Sequence, residues 1–198
     1  MNLFRDGDEV YTSGMATAEY LSAHYSDKII YLLGTKALKE EFELFGANLT
    51  EGFSDISVLS YDTELTYEKL CQFTYNVTKG SLYITTHSDV NCPASEVFVP
   101  DAGAFMALIE KSTGKTPSVI IGKPYPVMGE NLMRRYGVSP DKFIMVGDRL
   151  HTDIKFGNNC GFNTLFVLSG ECTLNDLRTS DAKPDFILES LNKIITYL

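Results

Sequence analysis

Apolar residues in this chain fall into short unbroken runs, separated by longer stretches with helical spacing. Lys28-Ile-Ile-Tyr-Leu-Leu-Gly34, Leu82-Tyr-Ile-Thr-Thr86, Val119-Ile-Ile121, Phe143-Ile-Met-Val146 and Asn163-Thr-Leu-Phe-Val-Leu168 read as strands. The run at Phe143–Val146 has the continuous pattern of a strand buried on both faces. Shorter strands are expected at Glu9–Gly14, Ser57–Ser60 and Asp185–Leu188. Between them, Met15 to His24 looks helical, and Thr35 caps a helix that sets Leu38, Phe42 and Phe45 on one face before Gly46 ends it. Thr66 opens a helix to about Lys79, and Gly103 to Ser112 forms another. The helix from Pro126 to Tyr136 stops at Gly137, one from Thr152 to Cys160 follows the 143–146 strand, and Leu191, Ile194, Ile195 and Leu198 give a closing helix an apolar face. Strand and helix alternate, so the fold class is α/β with mainly parallel strands. His87 to Pro100 is left as a long polar loop, a length that usually marks function. Thr113-Gly-Lys-Thr-Pro117 is a turn-rich seam suited to a domain boundary.

Composition narrows the function classes. The 198 residues carry a net charge of -9 with no cluster of Lys and Arg, which argues against nucleic acid as a partner. Small phosphorylated substrates stay open, because local groups decide those. Cys71, Cys92, Cys160 and Cys172 are scattered without a Cys-x-x-Cys pair, as expected of reduced thiols in a cytoplasmic protein. No apolar run approaches the ~18 residues of a membrane span, so no membrane is expected as a partner.

Candidate chemistry gathers where strands end. Val119–Ile121 runs into Gly122-Lys123, and Phe143–Val146 runs into Gly147-Asp148, with Asp153 in the turn that follows. The carboxyl edge of a parallel sheet is where ligands bind. If the two strands are neighbours, Lys123 and Asp148 share that edge. Two carboxylates there suit Mg²⁺, and an ammonium beside them neutralises a phosphate, which is the equipment of phosphoryl transfer. Arg149 reads as an ion-pair partner and His151 as an exposed side chain.

Ile121-Gly-Lys-Pro124 followed by Val146-Gly-Asp-Arg-Leu-His-Thr-Asp-Ile154 resembles the third and fourth motifs of the haloacid dehalogenase superfamily. More narrowly, it resembles the NagD-like branch, which includes p-nitrophenyl phosphatases and the pyridoxal and phosphoglycolate phosphatases. Thr12 to Leu21, Tyr61-Asp62 with Leu65 to Leu70, and Thr85-Thr-His-Ser-Asp89 resemble further landmarks of that branch. The resemblance runs from about Asp8 to the C-terminus. It implies a partial Rossmann-like parallel-sheet core with a large inserted α/β cap domain. Residues 1–26 would be a remnant of the core, 27–117 the cap and 118–198 the C-terminal half of the core.

The same resemblance implies a Mg²⁺-dependent phosphatase working through an aspartyl-phosphate. Lys123 would match the motif lysine, Asp148 the metal ligand and Asp153 the supporting acid. His87, Asp89, Asn91 and Cys92 would lie in the substrate-reading loop of the cap, and a small phosphorylated metabolite would be the substrate.

One part of the family pattern is not matched. Its nucleophile and leaving-group acid form an Asp-x-Asp at the end of the first core strand. Here the only Asp-x-Asp is Asp6-Gly-Asp8, with just Leu3 and Phe4 as apolar residues upstream. Too few for a buried strand, they leave Asp6 a poor nucleophile candidate. The first two core strands are therefore expected to be missing, the chain to be inactive alone, and an exposed core edge to favour self-association. The alternative is a non-enzymatic remnant or binding protein that keeps the cap and a weak Mg²⁺ or phosphate site.

Overall fold

Three threonines each stand one residue before a helix, and each accepts a hydrogen bond from the third backbone N–H of that helix. Thr12 Oγ1 accepts from Met15, Thr35 from Leu38 and Thr66 from Lys69, at 3.0, 3.2 and 3.2 Å. Each cap contributes about 1 kcal/mol and fixes where its helix starts. The computed structural model describes residues 6–93 and 96–197. The chain forms two compact units, residues 1–119 and 120–198.

The first unit runs α1 (Ser13–His24), β1 (Ile29–Leu33), α2 (Lys36–Leu44), β2 (Asn48–Leu49), β3 (Ile56–Leu59), α3 (Tyr67–Thr78) and β4 (Leu82–Thr85). It continues with β5 (Asn91–Pro93), β6 (Phe98–Pro100) and α4 (Ala102–Thr113), and β7 (Val119–Ile120) straddles its end. The sheet order is β2-β1-β3-β4-β7, with β2, β1, β3 and β4 parallel. Its central strands are buried on both faces, which explains their unbroken apolar runs. On one face Tyr31, Leu33, Leu59 and Tyr83 pack with Phe73, Val77, Ala102 and Ile109 of α3 and α4. On the other, Ile30 lines a small cleft together with Ala18 and Leu21 of α1.

The second unit runs α5 (Val127–Tyr136), β8 (Ile144–Gly147), α6 (Lys155–Cys160), β9 (Asn163–Val167), α7 (Leu174–Thr179) and β10 (Phe186–Leu188), and then a 3₁₀ segment, Leu191–Tyr197. Its parallel strands are ordered β10-β9-β8. Phe156, Cys160 and Phe162 pack with Met128, Phe143 and Met145 against one face of β8. Burial pushes the Cys160 thiol up to about 12, with Glu130 adding to it, so it stays protonated at neutral pH. Leu150, Ile154, Phe166 and Ala182 form a second cluster.

Several expectations change. Val119–Ile120 joins the sheet of the first unit beside β4, not that of β8. A short apolar run suits either sheet, and its period cannot choose between them. β8 is an edge strand, with Ile144 50% exposed, rather than a strand buried on both faces. Nearby, Ile144, Leu165, Phe186, Leu188 and Ile194 line an open apolar cleft of about 460 Å³. Residues 9–12 form no strand, and the chain goes directly into α1. The loop at 87–100 contains the β5–β6 hairpin, paired Asn91 with Pro100 and Cys92 with Val99. The closing segment is 3₁₀ rather than α-helical over its described residues. No described helix is long and apolar enough to cross a membrane.

Candidate active site

Gly147 is the last residue of β8, and the chain turns sharply beyond it. A Cβ at position 147 would lie 2.5 Å from Asp153 Cγ and 2.6 Å from its Oδ2. Glycine therefore lets Asp153 fold back against the strand end. The turn that does this, Leu150–Ile154, is π-helical. The Asp153 and Ile154 N–H groups both donate to the Arg149 carbonyl, at 2.9 and 3.2 Å. Turns of this type often mark functional sites. The expected helix from Thr152 thus starts as a π turn and becomes α-helical only at Lys155.

Asp153 is buried, and both its carboxylate oxygens are occupied. Lys123 Nζ donates to Oδ1 at 2.6 Å, and the Arg149 N–H donates to Oδ2 at 3.2 Å. The first is a short, charge-assisted bond. Lys123 comes from the turn before α5, where the Tyr125 N–H donates to the Gly122 carbonyl at 3.1 Å. Asn159 of α6 anchors that turn by donating its side-chain N–H to the Pro124 carbonyl at 2.8 Å. Lys123 therefore reaches the β8 end from a loop rather than from a neighbouring strand, and its ion-pair partner is Asp153.

Asp148 is half-buried beside them. Its Oδ2 accepts the Glu171 N–H at 2.7 Å, and its backbone carbonyl accepts the Cys172 N–H at 3.2 Å. A side chain at Gly170 would overlap the Asp148 carboxylate, so this approach also needs glycine. The Arg149 guanidinium bonds Glu171 Oε2 at 2.8 Å, the structural ion pair its position suggested. Glu171 and Gly170 were missed by the sequence reading, although the Ser169-Gly-Glu171 turn just after an expected strand marks another carboxyl end. His151 is exposed.

This donor set fits a hard cation. Asp148 and Asp153 offer only carboxylate oxygens, and Asp148 Oδ1 has no hydrogen-bond partner among the described residues. Mg²⁺ binds through one or two carboxylates and completes its shell with water and phosphate. Lys123, 41% exposed at its side chain, keeps part of its ammonium open to an anion.

The other candidates lie in the first unit. His87 and Asp89 leave the carboxyl end of β4 and gather with Asp101, the N-cap of α4. Asn91 and Cys92 stand on β5, Asn91 exposed and Cys92 partly covered. Asp6 and Asp8 are exposed, with Asp6 in a turn, and no described strand leads into them.

Comparisons with known proteins identify the family of the chain. Residues 120–194 match the family model described as HAD-hydrolase-like. The acid sugar phosphatase of Staphylococcus haemolyticus is 35% identical over 199 positions, covering all of this chain and 75% of the relative. That of Staphylococcus aureus is 33% identical, covering all of this chain and 76% of the relative. Among solved structures, 4-nitrophenylphosphatase from Thermotoga maritima superposes with a TM-score of 0.90 at 44% identity, over 96% of this chain and 72% of its own. The p-nitrophenyl phosphatase from Archaeoglobus fulgidus gives a TM-score of 0.88 at 25% identity, over 98% of this chain and 78% of its own. The chain belongs to the haloacid dehalogenase-like hydrolases, in the branch of NagD and the p-nitrophenyl phosphatases.

Proposed function

We propose that this protein is a Mg²⁺-dependent phosphomonoester hydrolase of small phosphorylated metabolites, with Lys123, Asp148 and Asp153 as the phosphate and metal end of its site. The observation that carries the reading is the Lys123–Asp153 bond of 2.6 Å at the end of β8, where Asp148 also stands. The names of the relatives, acid sugar phosphatase and 4-nitrophenylphosphatase, agree on a phosphomonoester as substrate.

Asp148 would hold the cation directly, and Asp153 would hold Lys123 in place while adding negative charge behind it. Bound Mg²⁺ would neutralise phosphate oxygens and fix the phosphoryl group for in-line attack. Lys123 would bind a second phosphate oxygen, and its tether to Asp153 removes most of the freedom of a long side chain before substrate arrives. Arg149, held by Glu171, would keep the turn rigid without touching substrate. Asn91 and Cys92, on a hairpin, would read the rest of the metabolite.

Turnover also needs an acid nucleophile. The chain's only Asp-x-Asp, Asp6-Gly-Asp8, is exposed at both acids. We therefore take this chain on its own to bind without turning over. The check is hydrolysis of p-nitrophenyl phosphate with and without Mg²⁺, by the wild type, Asp148→Asn and Asp6→Asn. Wild-type hydrolysis at the level of the Asp148→Asn variant is the expected result. Mg²⁺-dependent turnover lost in both variants would make Asp6 the nucleophile and refute the reading of that turn.

A further inference from the structure

The β5–β6 hairpin is too short to hold itself. Its strands have three residues each, and even a longer isolated hairpin is marginal in water. Yet residues 87 and 101, on either side of it, are tied together by their side chains. We propose that His87 is a positioning residue, which fixes the hairpin through Asp101 so that Asn91 and Cys92 read the organic part of a phosphomonoester while His87 itself does not touch it. This deepens the reading given above and rests on it.

Both ring nitrogens of His87 are engaged. Nε2 lies 2.8 Å from Asp101 Oδ1, and Nδ1 lies 2.8 Å from Thr86 Oγ1. A carboxylate only accepts, so the first bond is made by an Nε2–H. A hydroxyl either donates or accepts, so the second contact does not depend on the charge of the ring. The side chains of His87 and Asp101 are 17% and 9% exposed, which leaves little of either for a ligand. The backbone is fixed as well, because Thr85 Oγ1 donates to the His87 carbonyl at 3.0 Å. His87 is thus anchored to the end of β4, and its ring carries that anchor across to the start of α4.

Asp101 is the anchor on the other side. It caps α4 by accepting the Ala102 N–H at Oδ1, at 2.6 Å, and its own N–H donates to the Val90 carbonyl at 3.0 Å. The Gly103 N–H donates to the Asp89 carbonyl at 2.8 Å. A Cβ at Gly103 would lie 2.9 Å from that oxygen and would overlap the Ser88 carbonyl, so this approach depends on glycine. One side-chain bond and two backbone bonds therefore close the base of the hairpin. With both ends of residues 91–100 fixed, the pairing of Asn91 with Pro100 and Cys92 with Val99 is held before a ligand arrives. Holding a recognition loop in its binding form in advance removes ordering cost from binding. Of the three bonds, His87–Asp101 is the one with a charged acceptor, which makes it the strongest.

The test compares His87→Ala and His87→Gln with the wild-type full chain. Glutamine carries an N–H near the place of Nε2 and keeps a bond to Asp101, whereas alanine removes it. Amide hydrogen exchange reads the hairpin base at Asp101 and Gly103, and the sheet at Ser60 and Leu82, whose N–H groups bond the Leu33 and Asp55 carbonyls. Calorimetric titration in Mg²⁺ then uses inorganic phosphate and phenylphosphonate, which is not hydrolysed. In His87→Ala, Asp101 and Gly103 are expected to exchange about tenfold faster with Ser60 and Leu82 unchanged, the loss of one bond to a charged group. Phenylphosphonate affinity is expected to fall about tenfold while inorganic phosphate affinity holds, and His87→Gln is expected to stay near the wild type in both readouts. Unchanged exchange at Asp101 and Gly103 would overturn the proposal, and faster exchange at all four amides would do so by making His87 a residue of the fold at large. A loosened hairpin with unchanged phenylphosphonate affinity would overturn it too. Inorganic phosphate that does not bind the wild type would refute the reading of the β8 end, and this inference with it.

Discussion

Gly147→Ala should destabilise the second unit by about 1–3 kcal/mol, the usual cost of forcing a methyl into filled space. It should also abolish Mg²⁺ binding although it removes no ligand atom. The added Cβ would stand 2.5 Å from Asp153 Cγ and 2.6 Å from Oδ2, so the strand end and the π turn must separate. Asp153 would then lose its bond to the Arg149 N–H, and Lys123 its partner. Urea unfolding followed by circular dichroism gives the stability change, and Mg²⁺ titration gives the binding loss. Adding Asp153→Gly removes the atoms in conflict, so the double variant should regain stability without regaining the metal. Regain of neither would place the damage elsewhere in the strand. The pair forms a double-mutant cycle in which the coupling is steric and the metal readout is chemical.

Lys123→Met is expected to weaken inorganic phosphate binding in the presence of Mg²⁺ by about tenfold or more, the loss of one charge-assisted bond at 1.5–3 kcal/mol. The effect on stability should be smaller. Asp153 is buried and loses its ammonium partner, but Lys123 is 41% exposed at its side chain, so solvent screens much of the pair. Lys123→Arg should restore only part of the phosphate affinity, because a planar fork does not reproduce a point charge in a site built around one. Calorimetric titration of phosphate distinguishes these outcomes. Unchanged phosphate affinity in Lys123→Met would remove Lys123 from the site.

Much of the framework was legible because local signals and burial agree. Runs such as Ile29–Leu33 and Leu165-Phe-Val167 are continuous and apolar because both faces of these strand segments are covered. Thr35 and Thr66 announced their helices through a side-chain oxygen that has few other uses at that position. Lys123, Asp148 and Asp153 stood out as candidates because each follows a strand by one to a few residues.

What could not be read depends on contacts distant in sequence. Nothing in Val119–Ile120 says that it pairs beside β4, so Lys123 was expected to meet Asp148 across one sheet and instead bonds Asp153 from a loop. The π turn at Leu150–Ile154 adds one residue to a helical repeat, a change with no compositional mark. Asp101 could have been recognised as an N-cap, standing just before the helical run Ala102–Thr113. Its meeting with His87, fourteen residues earlier, depends on the return of the β5–β6 hairpin. That hairpin was read as loop because Asn91, Cys92 and Pro93 have poor strand character, and pairing decided the outcome.

The central claim is that Asp148, supported by Lys123 and Asp153, makes a Mg²⁺ site at the end of β8. Calorimetric titration of Mg²⁺ into the wild-type chain and into Asp148→Asn tests it most directly. The account predicts saturable binding in the wild type and a loss of about tenfold or more in the variant, since the amide replaces a charged oxygen by a neutral one. Superimposable isotherms for the two proteins would contradict it.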